Sequence, residues 1–226
     1  MFENIMNQYE DFREEDRSNY DTLTLNKVEF LTKAFHIKAN KVTYMFTSDD
    51  LYCLQEGEWI NDEVLNSYIK YMAVNANNLF VGYTDSFFYK KLERDGAQSA
   101  SCWFGFKNGP INRFNKFLIP ICCGVHWILG CFDFVNRRII ICDSFQNRYR
   151  KIMNTLNKFL CYLGYTDFEP YYEIVPHQHN GDDCGVFVMQ FARCYIYNLD
   201  FQYFSQDDIP RIREQIRSEL ESIISE

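Results

Sequence analysis

The chain lacks several things, and each lack removes a class of function. It has no run of about 18 apolar residues, so no membrane-spanning helix is expected. It has no excess of basic charge. Lys and Arg number 23 against 31 Asp and Glu, for a net charge of −8, whereas a nucleic-acid binder is usually basic. Met1 to Asp21 is polar and acidic, with no basic stretch leading into an apolar one, so no secretory signal is expected. No Cys-x-x-Cys occurs, Cys122 and Cys123 are adjacent, and the nine cysteines are an odd number. That spacing suits neither a metal site nor a disulfide framework, and no metal or other cofactor is expected. Cys131, Cys142, Cys161 and Cys194 sit in apolar runs, where a free thiol packs like a small hydrophobe. The expectation is a reducing compartment, cytoplasm or nucleus. There is no Gly/Ser linker, internal repeat or low-complexity tract, so one domain is expected at 26–226 behind a polar lead segment at 1–25.

What is present is a large apolar fraction, 47% of 226 residues, with 21 Phe and 16 Tyr. That argues against disorder and for a sizeable core. Val28 to Phe35 reads as a helix or extended segment, and Thr43 to Phe46 as a short strand. Ser48-Asp49-Asp50-Leu51 resembles a cap followed by a helical turn. Apolar residues from Val64 to Met72 recur at spacings of three and four, which predicts a helix over 62–75 capped by Asn61 or Asp62. Ser86 to Leu92 begins another helical turn, whereas 96–108 gives no clear assignment. Strands are predicted at 116–122, 127–134 and 138–142. Their apolar residues run continuously rather than alternating, so the sheet should be covered on both faces. Helical spacing returns at 153–163, a strand follows at 171–175, and a buried apolar helix occupies 186–196. An amphipathic helix at 209–224 has Asp207 or Asp208 as its cap and Pro210 in its first turn. This order predicts an α+β fold, a mixed central sheet flanked by helices.

Four polar residues stand out: His126 opens one strand, Asp143 closes the next, Gln178 lies in a later loop, and Cys184 precedes the apolar helix. Only Val135-Asn136-Arg137 joins the two strands, so they should form an antiparallel hairpin that brings His126 beside Asp143. A carboxylate so placed fixes an imidazole's tautomer and stabilises its charged form. A thiolate at a helix N-terminus gains from unpaired N–H groups and the macrodipole. Asp182 and Asp183 would oppose it if aimed at the sulfur, so they should cap the helix or turn outward. The Gln178 amide, with the Cys184 backbone N–H, suits an oxyanion. Each residue also has an ordinary reading. Cys184 could be core, His126 a satisfied interior histidine, Asp143-Ser144 a strand-ending turn, Gln178 a loop amide and the tryptophans core filler. His179, close to Cys184 in sequence, is a rival base. The joint occurrence of the four, with a mechanical route to assembly, favours a cysteine hydrolase.

These residues sit in a series of blocks that resembles the SUMO-specific (Ulp/sentrin-type) cysteine proteases of clan CE. The blocks are Trp59-Ile60-Asn61-Asp62-Glu63-Val64, Ser86-Phe87-Phe88-Tyr89-Lys90-Lys91-Leu92, Ile119-Pro120 with Gly124-Val125-His126-Trp127, Cys142-Asp143-Ser144, Gln178 with Asn180-Gly181-Asp182-Asp183-Cys184-Gly185-Val186-Phe187, and Phe204-Ser205-Gln206-Asp207-Asp208-Ile209-Pro210. The resemblance implies a papain-like cysteine protease architecture, with His126 as base, Asp143 as orienter, Cys184 as nucleophile and Gln178 as oxyanion donor. It further implies that Trp59 and Trp127, with Val125, bound a tunnel for a Gly-Gly tail. Two indole faces leave room for a glycine backbone but not for a Cβ. Asp62 and Phe87 match positions that touch the folded body of the modifier. Two departures are visible: Ile60 stands where leucine is common, and Lys90 where threonine is. The implied activity is removal of SUMO from lysine side chains, and maturation of SUMO precursors after Gly-Gly. The implied partner is SUMO or a related ubiquitin-like protein and its conjugates, met by a monomer without nucleic acid or membrane insertion. Competing readings are a protease for another modifier such as NEDD8, an acetyltransferase built on the same triad, and a catalytically silent modifier-binding module.

Overall fold

The computed structural model describes residues 44–76, 80–103 and 111–224. The segment at 28–35 and the proposed boundary at 25/26 lie outside these residues. At the centre is a five-stranded mixed sheet in sequential order: β1 (Val81–Tyr83), β2 (Lys116–Cys122), β3 (Trp127–Asp133), β4 (Arg138–Cys142) and β5 (Glu169–Tyr172). β1 runs parallel to β2 and β5 parallel to β4, while β2–β3 and β3–β4 are antiparallel.

Alternate residues of the central strands feed two separate cores. Leu118, Leu129, Cys131, Ile140 and Cys142 face one; Phe117, Ile119, Ile128, Phe132, Ile139 and Ile141 face the other. The first core is closed by α1 (Asp62–Asn75), α4 (Cys184–Tyr197) and α5 (Ile209–Ile224), the second by α2 (Phe87–Trp103) and α3 (Arg150–Tyr162). Burial on both faces is why the strands read as unbroken apolar runs. Each Leu, Ile or Phe so enclosed stabilises the fold by about 1.5–3 kcal/mol relative to exposure.

Local signals explain most boundaries. The Asn61 side chain accepts a hydrogen bond from the Val64 N–H at 2.8 Å, so α1 begins at Asp62 as predicted. In the β3–β4 connection the Asp133 carboxylate accepts from the Val135 and Asn136 N–H groups, both at 3.0 Å, and receives the Lys116 ammonium at 2.9 Å.

Several expectations needed correction. Residues 44–47 form no strand, and the turn after them is a 3-10 helix, Asp50–Leu54. α2 runs well past Leu92 to Trp103, with a kink at Gly96, where φ is 80°. β3 stops at Asp133, because that residue turns to cap the loop. The last strand lies at Glu169–Tyr172 rather than 171–175, held by parallel pairing to β4. α4 begins two residues before Val186, so Cys184 is inside its first turn. Before α5 stands a 3-10 turn, Gln206–Asp208. Here the Asp208 carboxylate accepts from the Ser205 N–H at 2.9 Å and hydroxyl at 3.1 Å, so Asp208 reaches back rather than standing as the cap. Cys131, Cys142 and Cys194 are buried as expected, but Cys161 is exposed on α3. No helix among the described residues is long and apolar enough to cross a membrane.

Candidate active site

The site is built where the β2–β3 turn, the end of β4 and the start of α4 meet. β2 and β3 pair up to Cys122 opposite Trp127, and the Cys123 N–H donates to the His126 carbonyl across the turn. Gly124 takes φ +78° at the first central position. That is the II′ pattern, which follows the twist of the strands and strains any residue with a Cβ. The turn lifts Val125 out, 72% exposed, and leaves the His126 ring half-buried beside β4.

The hairpin prediction holds. β3 and β4 pair from Asp133–Arg138 to Leu129–Cys142, and His126 Nε2 lies 2.6 Å from Asp143 Oδ1. A carboxylate only accepts, so Nε2–H donates. The imidazole's other nitrogen, Nδ1, is left free of Asp143, and Cys184 is near enough to act on the charge of the ring. Phe145 stacks on the ring at 4.9 Å between centroids and 28° between planes, fixing its tilt. Asp143 is buried and fully engaged, accepting from the Phe145 N–H at 3.1 Å and the Asn147 N–H at 2.8 Å. Burial pushes its pKa up, but the His126 bond and these two amides outweigh that and hold it below the usual carboxylate range. Burial likewise works to lower the His126 pKa. The bonds and charges of Asp143 and Cys184 overcome it and push it up from 6.5 to about 9. The imidazole is therefore charged at neutral pH.

Cys184 is 5% exposed, the first residue of α4, and acts electrostatically on His126. Of the two aspartates before it, Asp183 departs from expectation. Asp183 occupies the N-cap position but makes no side-chain cap bond, and it is buried rather than turned outward. Its carboxylate accepts from Arg213 at 2.7 Å, Asn180 Nδ2 at 2.7 Å and Gln206 Nε2 at 2.7 Å. Asp182 is partly exposed.

Gln178 is fully buried, at 0% exposure. Its Oε1 accepts from the Ser144 hydroxyl at 2.8 Å, and its Nε2 donates to the Asn180 carbonyl at 2.8 Å and side-chain oxygen at 3.2 Å. These partners fix which end of the amide is the donor. His179 is held elsewhere: its N–H donates to Gln206 Oε1 at 2.9 Å, and its ring faces His177 at 5.6 Å. His126, not His179, carries the contacts to Asp143 and Cys184.

The two expected tunnel tryptophans lie on different elements, linked through Ile60. Trp127 is buried, and its Nε1–H donates to the Ile60 carbonyl at 3.0 Å. Trp59 is one residue earlier and 56% exposed. Asp62 is half-buried at the start of α1. Phe87 is exposed at the start of α2, with the Lys90 ammonium 5.9 Å from its ring centroid. The lysine at this departure thus lies against Phe87 as a cation over an aromatic face.

Some residues escaped the sequence reading. Ser144 brackets Gln178, since its carbonyl also accepts the Gln178 N–H at 2.9 Å. Phe145 was unmarked, and nothing in its spacing singles it out. Arg213 had a signal. It falls within the stripe Ile209, Ile212, Ile216 and Leu220 that α5 buries, where a charge demands a partner.

A family model described as the Ulp1 protease family, C-terminal catalytic domain, matches residues 58–226. Sentrin-specific protease 5 of Homo sapiens is 31% identical over 229 residues, covering 96% of this chain and 30% of that protein. Ubiquitin-like-specific protease 1A of Arabidopsis thaliana is 27% identical over 202 residues, covering 77% of this chain and 39% of that protein. The chain therefore spans about a third of the length of these relatives. Among solved structures, the C-terminal Ulp1 protease domain in complex with Smt3, the yeast ortholog of SUMO, superposes with a TM-score of 0.72 at 25% identity. That match covers 89% of this chain and 94% of the other.

Proposed function

Since the chain belongs to the Ulp1 protease family, we propose that it is a thiol isopeptidase that removes SUMO from lysine side chains and matures SUMO precursors. The carrying observation is the 2.6 Å contact between His126 and Asp143, on a ring that also meets Cys184 at the head of α4. The relatives support the modifier: one is named a sentrin-specific protease, and the Ulp1 domain was solved with Smt3.

In this reading Cys184, as the thiolate of an ion pair with charged His126, attacks the carbonyl carbon of the tail's last glycine. The oxyanion is met by the Cys184 N–H and Gln178 Nε2, whose longer contact to Asn180 Oδ1 yields. His126 gives its proton to the departing amine, the C–N bond breaks, and a thioester remains. Water, deprotonated by His126, then attacks the thioester, releases the tail as its carboxylic acid and restores the thiolate with a charged His126. Trp59, Trp127 and Val125 enclose the Gly-Gly tail, while Asp62 and Phe87 meet the body of the modifier. All nine cysteines are free, which supports work in a reducing compartment, nucleus or cytoplasm.

Turnover of a SUMO–lysine conjugate by wild type and by Cys184→Ala tests the assignment. Cleavage only by wild type is expected; cleavage by the variant would refute it. A parallel panel of SUMO and NEDD8 substrates decides the modifier, with SUMO expected to be cut faster.

A further inference from the structure

Arg213 is 3% exposed on α5, distant in sequence from every residue of the mechanism. Its Nε and Nη2 both donate to Asp183 Oδ1, at 3.0 and 2.7 Å. Nη1 donates to the Cys53 carbonyl at 3.1 Å and the Gln55 carbonyl at 2.9 Å, and Nη2 also reaches the Glu58 carbonyl at 3.0 Å. Every N–H of the guanidinium thus has an acceptor. A lysine ammonium is a point charge with fewer donors and cannot copy this fork.

These acceptors belong to two segments far apart in sequence. Asp183 is bonded to Cys184, the attacking residue. Glu58 is bonded to Trp59, one wall of the slot. Two more contacts brace the same joint. Trp127 holds the Ile60 carbonyl, and Gly185 lies so close to Ile60 that an added Cβ would sit 2.5 Å from Ile60 Cβ.

Resting on the reading of Cys184 as nucleophile, we infer that Arg213 is a positioning residue that sets the distance between the sulfur and the Trp59 wall. It touches no substrate. It fixes where the tail's carbonyl lies relative to the thiolate, and a displacement of about 1 Å there costs on the order of 10²-fold in rate.

The test compares two reactions of the same sulfur. Alkylation by iodoacetamide needs only the activated thiol; cleavage of a SUMO-tail substrate also needs the wall in register. Both are measured per folded molecule, with the folded fraction taken from a denaturant melt, in Arg213→Lys. Asp183→Asn, which keeps the side chain's shape, serves as a second variant should the lysine fail to fold. The expected result is an alkylation rate close to wild type and a kcat for tail cleavage lowered about 10²-fold. Equal rates per folded molecule in both reactions would make Arg213 a purely structural residue and overturn the inference. Parallel loss of both would overturn it too, by placing the effect on the thiol rather than on register. If wild type itself neither cuts the tail nor alkylates preferentially at Cys184, the proposed function fails instead.

Discussion

His126 shows how little of an imidazole's charge state comes from its own chemistry. Left to burial alone its pKa would fall, and only its two partners raise it to about 9. A folded-state value above the ordinary 6.5 means that the charged form stabilises the fold. That contribution is complete below 6.5 and is lost as pH rises through 9. Hydrolysis should decline over the same upper window, because the proton given to the departing amine is gone. An imidazole NMR titration should find the His126 midpoint near 9 in wild type. In Asp143→Asn the carboxylate no longer opposes burial, so the midpoint should drop, with kcat/KM lower by about 10²–10⁴-fold. A midpoint unmoved by that substitution would show that Asp143 does not set the charge on the ring. These two residues were legible together because a three-residue link between apolar runs leaves one way to fold, and that way puts 126 beside 143. The Gln178 anchor was not legible, since its partner Ser144 looks like any turn serine.

At the scale of elements, the site depends on helix α4 approaching the Trp59 segment closely. Gly185→Ala would force Ile60 and the helix apart, because the new methyl would meet Ile60 Cβ at 2.5 Å. The expected cost is about 1–3 kcal/mol of stability in a denaturant melt, the range for overpacked cores. Tail cleavage should fall with it. A melt indistinguishable from wild type would mean the contact is slack. Helices and long strands were visible in the sequence because their apolar periods extend over several turns or pleats. β1 was not, for it is three residues long, pairs in parallel with β2 and carries no period of its own. The early start of α4 was missed because Cys184 and Gly185 are poor signals for a helix. They lie in it because α4 packs across the sheet and Arg213 holds Asp183 at its head.

For the whole molecule, the division of labour follows the two cores. One face of the sheet packs against α2 and α3; the other, with α1, α4 and α5, carries Cys184 and the joint to the Trp59 segment. Selection for a tail without side chains should therefore be steric. Replacing either tail glycine by alanine should lower kcat/KM by about 10–200-fold, the range for one misplaced methylene, and undiminished cutting would remove the slot from the account. Sequence blocks spread along the chain announced this architecture. The buried guanidinium tying its parts together left one trace, a charge inside the apolar stripe of α5. The central claim is that Cys184 is the sulfur presented to the modifier's tail. Its most direct test is a SUMO probe whose C-terminal Gly-Gly carries a thiol-reactive group, followed by peptide mass spectrometry. One adduct, on Cys184 and absent from Cys184→Ala, is predicted; labelling of the neighbouring Cys122, or of no cysteine, would contradict it.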